Sequence, residues 1–259
     1  MAGEASLASE ARPSFLARNS FLLRRLHSLS GLVPVGAYMV VHLLTNASVL
    51  NGTASFQQNV DRIHALGRAL PVVEWVFIFI PLIFHAGYGF VRIYDSQANA
   101  AEYPYPKNIR YTLQRITGMV AFVYILFHVA QLHHLGFGQF NPEHATSSAA
   151  AAIGGAYWMQ AIYVVGVLAC VYHLANGIWT SGITWGIWTS PAAQRRADYV
   201  CWGIGFLVAV IGLSALVGFG RVDVAKAREQ ESRMQKARLE LAGEEETPEA
   251  APAEPAKAP

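Results

Sequence analysis

Four histidines stand where a histidine is expensive. His42, His85, His128 and His173 each lie deep in a long apolar run, and successive members are 43, 43 and 45 residues apart. That spacing is close to one helix plus one short loop. An ionisable or ligating side chain inside a lipid-buried helix is costly, so its default reading is functional. A single imidazole there is more often a hydrogen-bonded packing residue. Four, one per helix and matched in depth, favour ligation. Neutral imidazoles facing each other across a helical bundle suit bis-histidine ligation of haem iron. Six-coordinate iron leaves no open position, which favours electron transfer over oxygen chemistry. Proton relays and zinc transport are the competing uses, but both usually enlist mid-membrane carboxylates. The one acid within the apolar runs is Glu74.

The elements that must hold these residues are membrane helices. The chain has 259 residues, 53% hydrophobic and 14% charged, where a soluble domain carries about a quarter charged. The net charge of +2 gives no support to a nucleic-acid partner. Cys170 and Cys201 sit in apolar runs and no Cys-x-x-Cys-His occurs, so covalent haem attachment, a disulfide scaffold and a thiolate zinc site are all excluded. The N-terminal stretch has no apolar core before Phe21 and does not read as a cleavable signal peptide.

Five apolar spans can be drawn, at residues 29–50, 72–93, 116–135, 157–179 and 200–219. Each is near the roughly 20 residues needed to cross a bilayer. Asn51-Gly52, Asn141-Pro142 and Ser190-Pro191 mark turns between them. The expected fold is an all-α membrane protein of five transmembrane helices, the first four forming a haem-binding four-helix bundle. Residues 1–20 are expected to be an N-terminal cytoplasmic segment and 21–220 the five-helix transmembrane haem-binding domain. Residues 221–259 are a charged tail, a solvated helix laced with ion pairs to residue 242 and Ala/Pro/Glu-rich from Glu244.

Basic residues set the orientation. Arg12, Arg18, Arg24 and Arg25 precede the first span, and Arg92, Lys107, Arg110 and Arg115 flank the second loop. The first loop carries only Arg62 and Arg68, and the third carries neither Lys nor Arg. The N-terminus is therefore expected inside and the C-terminus outside, although the tail holds six basic residues up to Arg238 beside its nine acids. With this topology His42 lies about 20 Å and His128 about 18 Å from the inner face. His85 and His173, on inward-running helices, fall in the inner half. The histidines pair by level, His42 with His128 and His85 with His173. The chain also repeats weakly at offsets of 86 to 88 residues: Gly31 and His42 echo Gly118 and His128, and His85 and Gly89 echo His173 and Gly177.

Neighbouring residues fit the same picture. His27, Gly31 and His42 share a helical face, and Gly31 lets a macrocycle approach. Gly89 and Gly177 serve either haem clearance or close helix packing. Arg24, Arg25, His27 and Arg115 cluster at the inner surface, as propionate partners or as a plain topogenic signal. Glu74 is either a proton donor lining a quinone pocket or an interfacial residue reaching water. His133 and His134 read as interfacial, His64 and His144 as loop residues, and Trp179, Trp185 and Trp188 as an inner aromatic belt.

The segments RRLHSLSGLVPVGAYMVVHLLTN, FHAGYGFVRI, QRITGMVAFVYILFHVAQLHH and YHLANGIWT, in this order and spacing over about residues 20–220, carry a resemblance. It is to the five-helix dihaem cytochrome b membrane anchors of succinate:menaquinone oxidoreductases and fumarate reductases. The resemblance implies two b haems. His85 and His173 would bind the one nearer the soluble subunits, and His42 and His128 the one nearer the outer surface. It further implies a flavoprotein partner with FAD, an iron–sulfur partner, a dicarboxylate site on those partners, and a quinone, menaquinone, as electron acceptor in the cytoplasmic membrane. This chain would then be the quinone-reactive subunit, with no catalytic residue for the dicarboxylate. Some family members carry a glutamate two residues before the last ligand; here that residue is Val171, which argues against a transmembrane proton route of that kind. The tail exceeds the usual family length. A b-type cytochrome of a hydrogenase or formate dehydrogenase and a haem-free anchor are the alternative readings.

Overall fold

The computed structural model describes residues 14–95, 101–133, 138 and 140–246. Among these every regular element is helical. Five helices are long and apolar enough to cross a membrane: Ser20–Asn51, Gly67–Tyr94, Pro106–Leu132, Tyr157–Thr184 and Pro191–Arg221. Val33, Val41, Phe77, Ile83, Val123, Leu126, Val165 and Phe206, all inside these spans, are exposed on the isolated chain. Aqueous solvent would not tolerate such a girdle of apolar side chains, whereas lipid would. The chain is a multi-pass membrane protein.

The helices outrun the apolar runs that announce them, because polar first and last turns extend past the lipid. Prolines open several of them. Pro106 and Pro191 stand at first helical positions, where a missing N–H costs nothing. Ser190 caps the last span by accepting the N–H of Ala193 at 3.2 Å. Interior prolines have a different consequence. Pro34 sits within a π-helical turn at Gly31–Gly36, and Pro81 follows another at Trp75–Phe79. A proline removes one helical hydrogen bond and crowds the carbonyl four residues back; a wider turn relieves both. The end of the first span is fixed by Gly52, whose φ of 99° favours glycine.

Two compact units are distinguished. One comprises Met1–Leu43, Arg68–Tyr124 and Val165–Val210. Within it, Ser20–Ser30 packs on Ile80–Tyr94, and the two π-turns touch. The second comprises Leu44–Gly67, Ile125–Val164 and Ile211–Pro259. It contains two surface helices that the apolar pattern does not announce, Thr53–His64 and Ala145–Gly154, in connections expected to be loops.

The tail differs from expectation. Its helix, Val224–Glu246, carries three exposed ion pairs, Lys226–Asp223, Arg233–Glu229 and Lys236–Glu240, but it is not simply solvated. Ala227 and Glu231 are buried. Glu231 accepts the backbone N–H of Thr146 at 2.6 Å, and the N–H and hydroxyl of Ser147 at 3.2 and 2.6 Å. These are unsatisfied first-turn donors of Ala145–Gly154, and a carboxylate suits that end of a helix. Arg238 pairs with Asp61, and Ser232 with His144. The tail thus docks on the helices Thr53–His64 and Ala145–Gly154, which follow the first and third spans. The Ala/Pro/Glu-rich end beyond residue 246 lies outside the described residues, as do Arg12 and His134.

Candidate functional site

Of the four histidines, the structure describes two as converging within one unit. The rings of His85 and His173 have centroids 6.0 Å apart with planes at 86°. Each donates from Nδ1 to a backbone carbonyl of a neighbouring helix: His85 to His27 at 2.9 Å, and His173 to Gln114 at 3.0 Å. A carbonyl only accepts, so the proton lies on Nδ1 and Nε2 presents a lone pair. This is the arrangement by which a second contact fixes the tautomer of a metal-binding histidine.

The two imidazoles also share a way of being seated. A Cβ on Gly31 would meet the His85 ring, with Nε2 3.0 Å away and Cε1 and Nδ1 nearer still. A Cβ on Gly118 would lie 2.8 Å from His173 Cε1. Gly31 therefore receives an imidazole, where a macrocycle edge was expected. Gly89 and Gly177 pack on His27 and Gln114 at 3.6 and 3.7 Å, ordinary contact distances. The residues His27, Gly31, His85 and Gly89 correspond one for one to Gln114, Gly118, His173 and Gly177, at offsets of 87 or 88. The sequence repeat is a structural one.

The observed separation, the glycine seats and the outward-tied Nδ1 atoms fit a bis-histidine haem. A further observation agrees. His27 stacks on His85 with centroids 4.2 Å apart and planes 5° from parallel, and its buried Nδ1 has no hydrogen-bond partner.

The remaining expected residues are placed as follows. Arg25 lies over the rings of Phe21 and Trp185, at 4.3 and 5.1 Å. Arg24 and Arg25 line one shallow pocket with Ser20, Phe21 and Thr184. Arg115 turns elsewhere, donating to the carbonyl of Arg92 at 3.0 Å and covering Tyr111. His42 stacks near Tyr38 with centroids 5.5 Å apart, and Tyr38 lies within electrostatic range of Glu74. His128, in the second unit, meets Tyr163 edge-on at 5.8 Å. Tyr163 in turn donates to Gln131 at 2.7 Å.

Sequence reasoning missed a polar chain behind His173. Gln114 Nε2 donates to the carbonyl of His173 at 3.1 Å, and Asn176 Nδ2 donates to Gln114 Oε1 at 2.6 Å. Arg110 reaches both Asn176 and Asp198 and stacks over Trp179 at 4.0 Å. Trp179 is accordingly buried and not part of a solvent-facing aromatic belt. An amide, Asn176, three residues after His173 in an otherwise apolar span was the available signal.

Comparison with known proteins agrees with this geometry. The family model for the succinate dehydrogenase/fumarate reductase transmembrane subunit matches residues 106–213. The succinate dehydrogenase cytochrome b558 subunit of Bacillus subtilis (strain 168) is 34% identical over 199 residues, covering 77% of this chain and 96% of the relative. With repeated helical hairpins, paired imidazoles and a relative matched nearly end to end, the chain belongs to the family of succinate dehydrogenase/fumarate reductase transmembrane subunits.

Proposed function

We propose that this chain is the membrane-anchor cytochrome b subunit of a succinate:quinone oxidoreductase, taking electrons from an iron–sulfur partner and delivering them to a quinone, menaquinone. A flavoprotein partner with FAD would carry the dicarboxylate chemistry, and the iron–sulfur partner its clusters. The single observation that carries the reading is the convergence of His85 and His173, each seated on a glycine with Nδ1 tied to a carbonyl.

When bound, haem iron supplies reversible one-electron storage. His85 and His173 would hold one haem b. His42 and His128, matched in depth by their places in outward-running spans, would hold a second. The chain's own contribution is to keep Nε2 of each ligand deprotonated and aimed, and to surround the pair with apolar helix that excludes water. Arg24, Arg25 and His27 are suited to propionates, and the buried Nδ1 of His27, whose ring stacks on His85, has no hydrogen-bond partner. Arg115 belongs to the same group by sequence. Glu74 and Tyr38 are suited to a quinone near His42. Residues 21–220 form the cytochrome domain between the segments 1–20 and 221–259. With basic residues before the first span, the N-terminus would face the cytoplasm and the chain would lie in the cytoplasmic membrane.

The test is a pyridine haemochrome assay on the purified complex. It should give about two haems per chain in the wild type and about one in His85→Ala, since six-coordinate ligation needs both imidazoles. Wild-type haem retained in full by His85→Ala would remove His85 from the ligands. A wild-type chain without haem would leave only a hydrophobic anchor.

A further inference from the structure

The two histidines of the converging pair are tied to the protein unequally. His85 and His173 use the same contact, Nδ1 to a carbonyl, but what stands behind each carbonyl differs. Behind His173 the contact is reciprocal: His173 donates to the Gln114 carbonyl, and the Gln114 side chain donates back to the His173 carbonyl. The Gln114 amide oxygen is then held by Asn176, Asn176 by Arg110, and Arg110 by Asp198 on the fifth span. Asn176 is 3% exposed. The Arg110 side chain is 18% exposed and is roofed by Trp179. The repeat-related positions on the His85 side are His27 for Gln114, Tyr88 for Asn176 and Leu23 for Arg110. None of those three can build the same line of amide and guanidinium bonds.

Resting on the haem reading above, we infer that Gln114, Asn176, Arg110 and Asp198 are positioning residues that lock the ring of His173 and set the electrostatic field at one haem of the two. Satisfied networks of this kind are rigid; this one is part-buried, the Asp198 side chain at its far end being 38% exposed. Partners behind a metal-binding histidine orient it and tune its basicity. Arg110 brings a permanent positive charge towards the pair, and Asp198 neutralises it. The fifth span lies outside the repeat and supplies no ligand, so this contact gives it a part in the site.

The experiment uses the intact complex in membranes. Redox titration of the haem absorbance gives each haem's midpoint potential, and low-spin EPR reports the angle between axial ring planes through the g anisotropy. Asp198→Asn should raise the potential of one haem component, because an uncompensated Arg110 favours the reduced, less positive site. Asp198→Glu should restore it. Gln114→Leu should change the g values of that same component and leave the other as in the wild type. Unchanged potentials and g values in Asp198→Asn and Gln114→Leu, or equal shifts of both components, would overturn the inference while leaving two-haem binding intact. Should Gln114→Leu fail to accumulate, the near-isosteric Asp198→Asn decides alone. A wild-type complex lacking haem would overturn both this inference and the reading on which it rests.

Discussion

Gly31 lies against the imidazole of His85, leaving no room for a Cβ between the first span and the ring. Its repeat partner Gly118 stands in the same relation to His173, slightly less tightly, with 2.8 Å to Cε1. An alanine at either position must displace a ring whose Nδ1 is already committed to a carbonyl. Gly31→Ala is therefore expected to lower haem content from about two per chain to about one, as loss of one axial ligand would. Gly118→Ala should do the same less completely. Gly89→Ala and Gly177→Ala should keep full haem, since their Cβ atoms would sit at ordinary distances of 3.6 and 3.7 Å. Haem stoichiometry across the four variants checks the ordering. Equal loss in all four would mean general helix packing, not seating of the ligands, sets the requirement.

The tail helix provides a second prediction. Glu231 is 1% exposed and gathers three donors from the first turn of Ala145–Gly154. Glu231→Ala would leave those donors buried and unpaired, a cost of about 1–3 kcal/mol. The measurable result is earlier proteolytic release of residues beyond Arg221 in detergent, with haem content unchanged. Glu231→Gln keeps an acceptor and should fall between the two.

Asp223, which lies beyond the last span, gives that docking a pH dependence. Its carboxylate accepts the backbone N–H of Lys226 at 3.2 Å, and this bond, with the Lys226 ammonium, holds its pKa below the ordinary value of 3.8. A depressed carboxylate pKa contributes stability above the unfolded value and loses it as pH falls through the folded one. The tail helix should thus fray at its start only below the usual carboxylate range, in acid. Asp223→Asn retains a capping side chain and should abolish that acid step, read as tail proteolysis against pH.

What the sequence could reveal follows from how each feature is encoded. The five spans are legible because apolar length is a property of a window, not of any one residue. The convergence of His85 with His173 left a trace in the sequence, because the 87-residue correspondence of Gly31 with Gly118 survives in identity. Arg110 was not legible as a site residue. It stands among basic residues that set topology, and nothing local distinguishes a guanidinium turned inward from one facing water. Glu231 was hidden similarly, in a stretch where acids and bases alternate. Its burial depends on Thr146 and Ser147, more than 80 residues away. The π-turns needed coordinates, since Pro34 and Pro81 predict a disturbance but not its form.

The last prediction concerns Glu74. Glu74 ends the short helical turn Leu70–Glu74, immediately before the π-turn Trp75–Phe79. It lies within electrostatic range of Tyr38, which stacks near His42. π-turns inside helices are frequent at functional sites, because they re-aim side chains that a regular helix would direct elsewhere. Reducing a quinone consumes protons as well as electrons, and an acid beside a phenol can pass them. Glu74→Gln keeps shape and hydrogen bonding but removes the acid, so quinone reduction by the complex should drop by about 100-fold, the lower range for a general acid. Succinate oxidation with a soluble artificial acceptor should stay at the wild-type rate, and so should haem content and haem reduction. Wild-type quinone reduction in Glu74→Gln would return Glu74 to an interfacial role. Loss of both activities would mean the substitution had damaged the complex rather than the proton path.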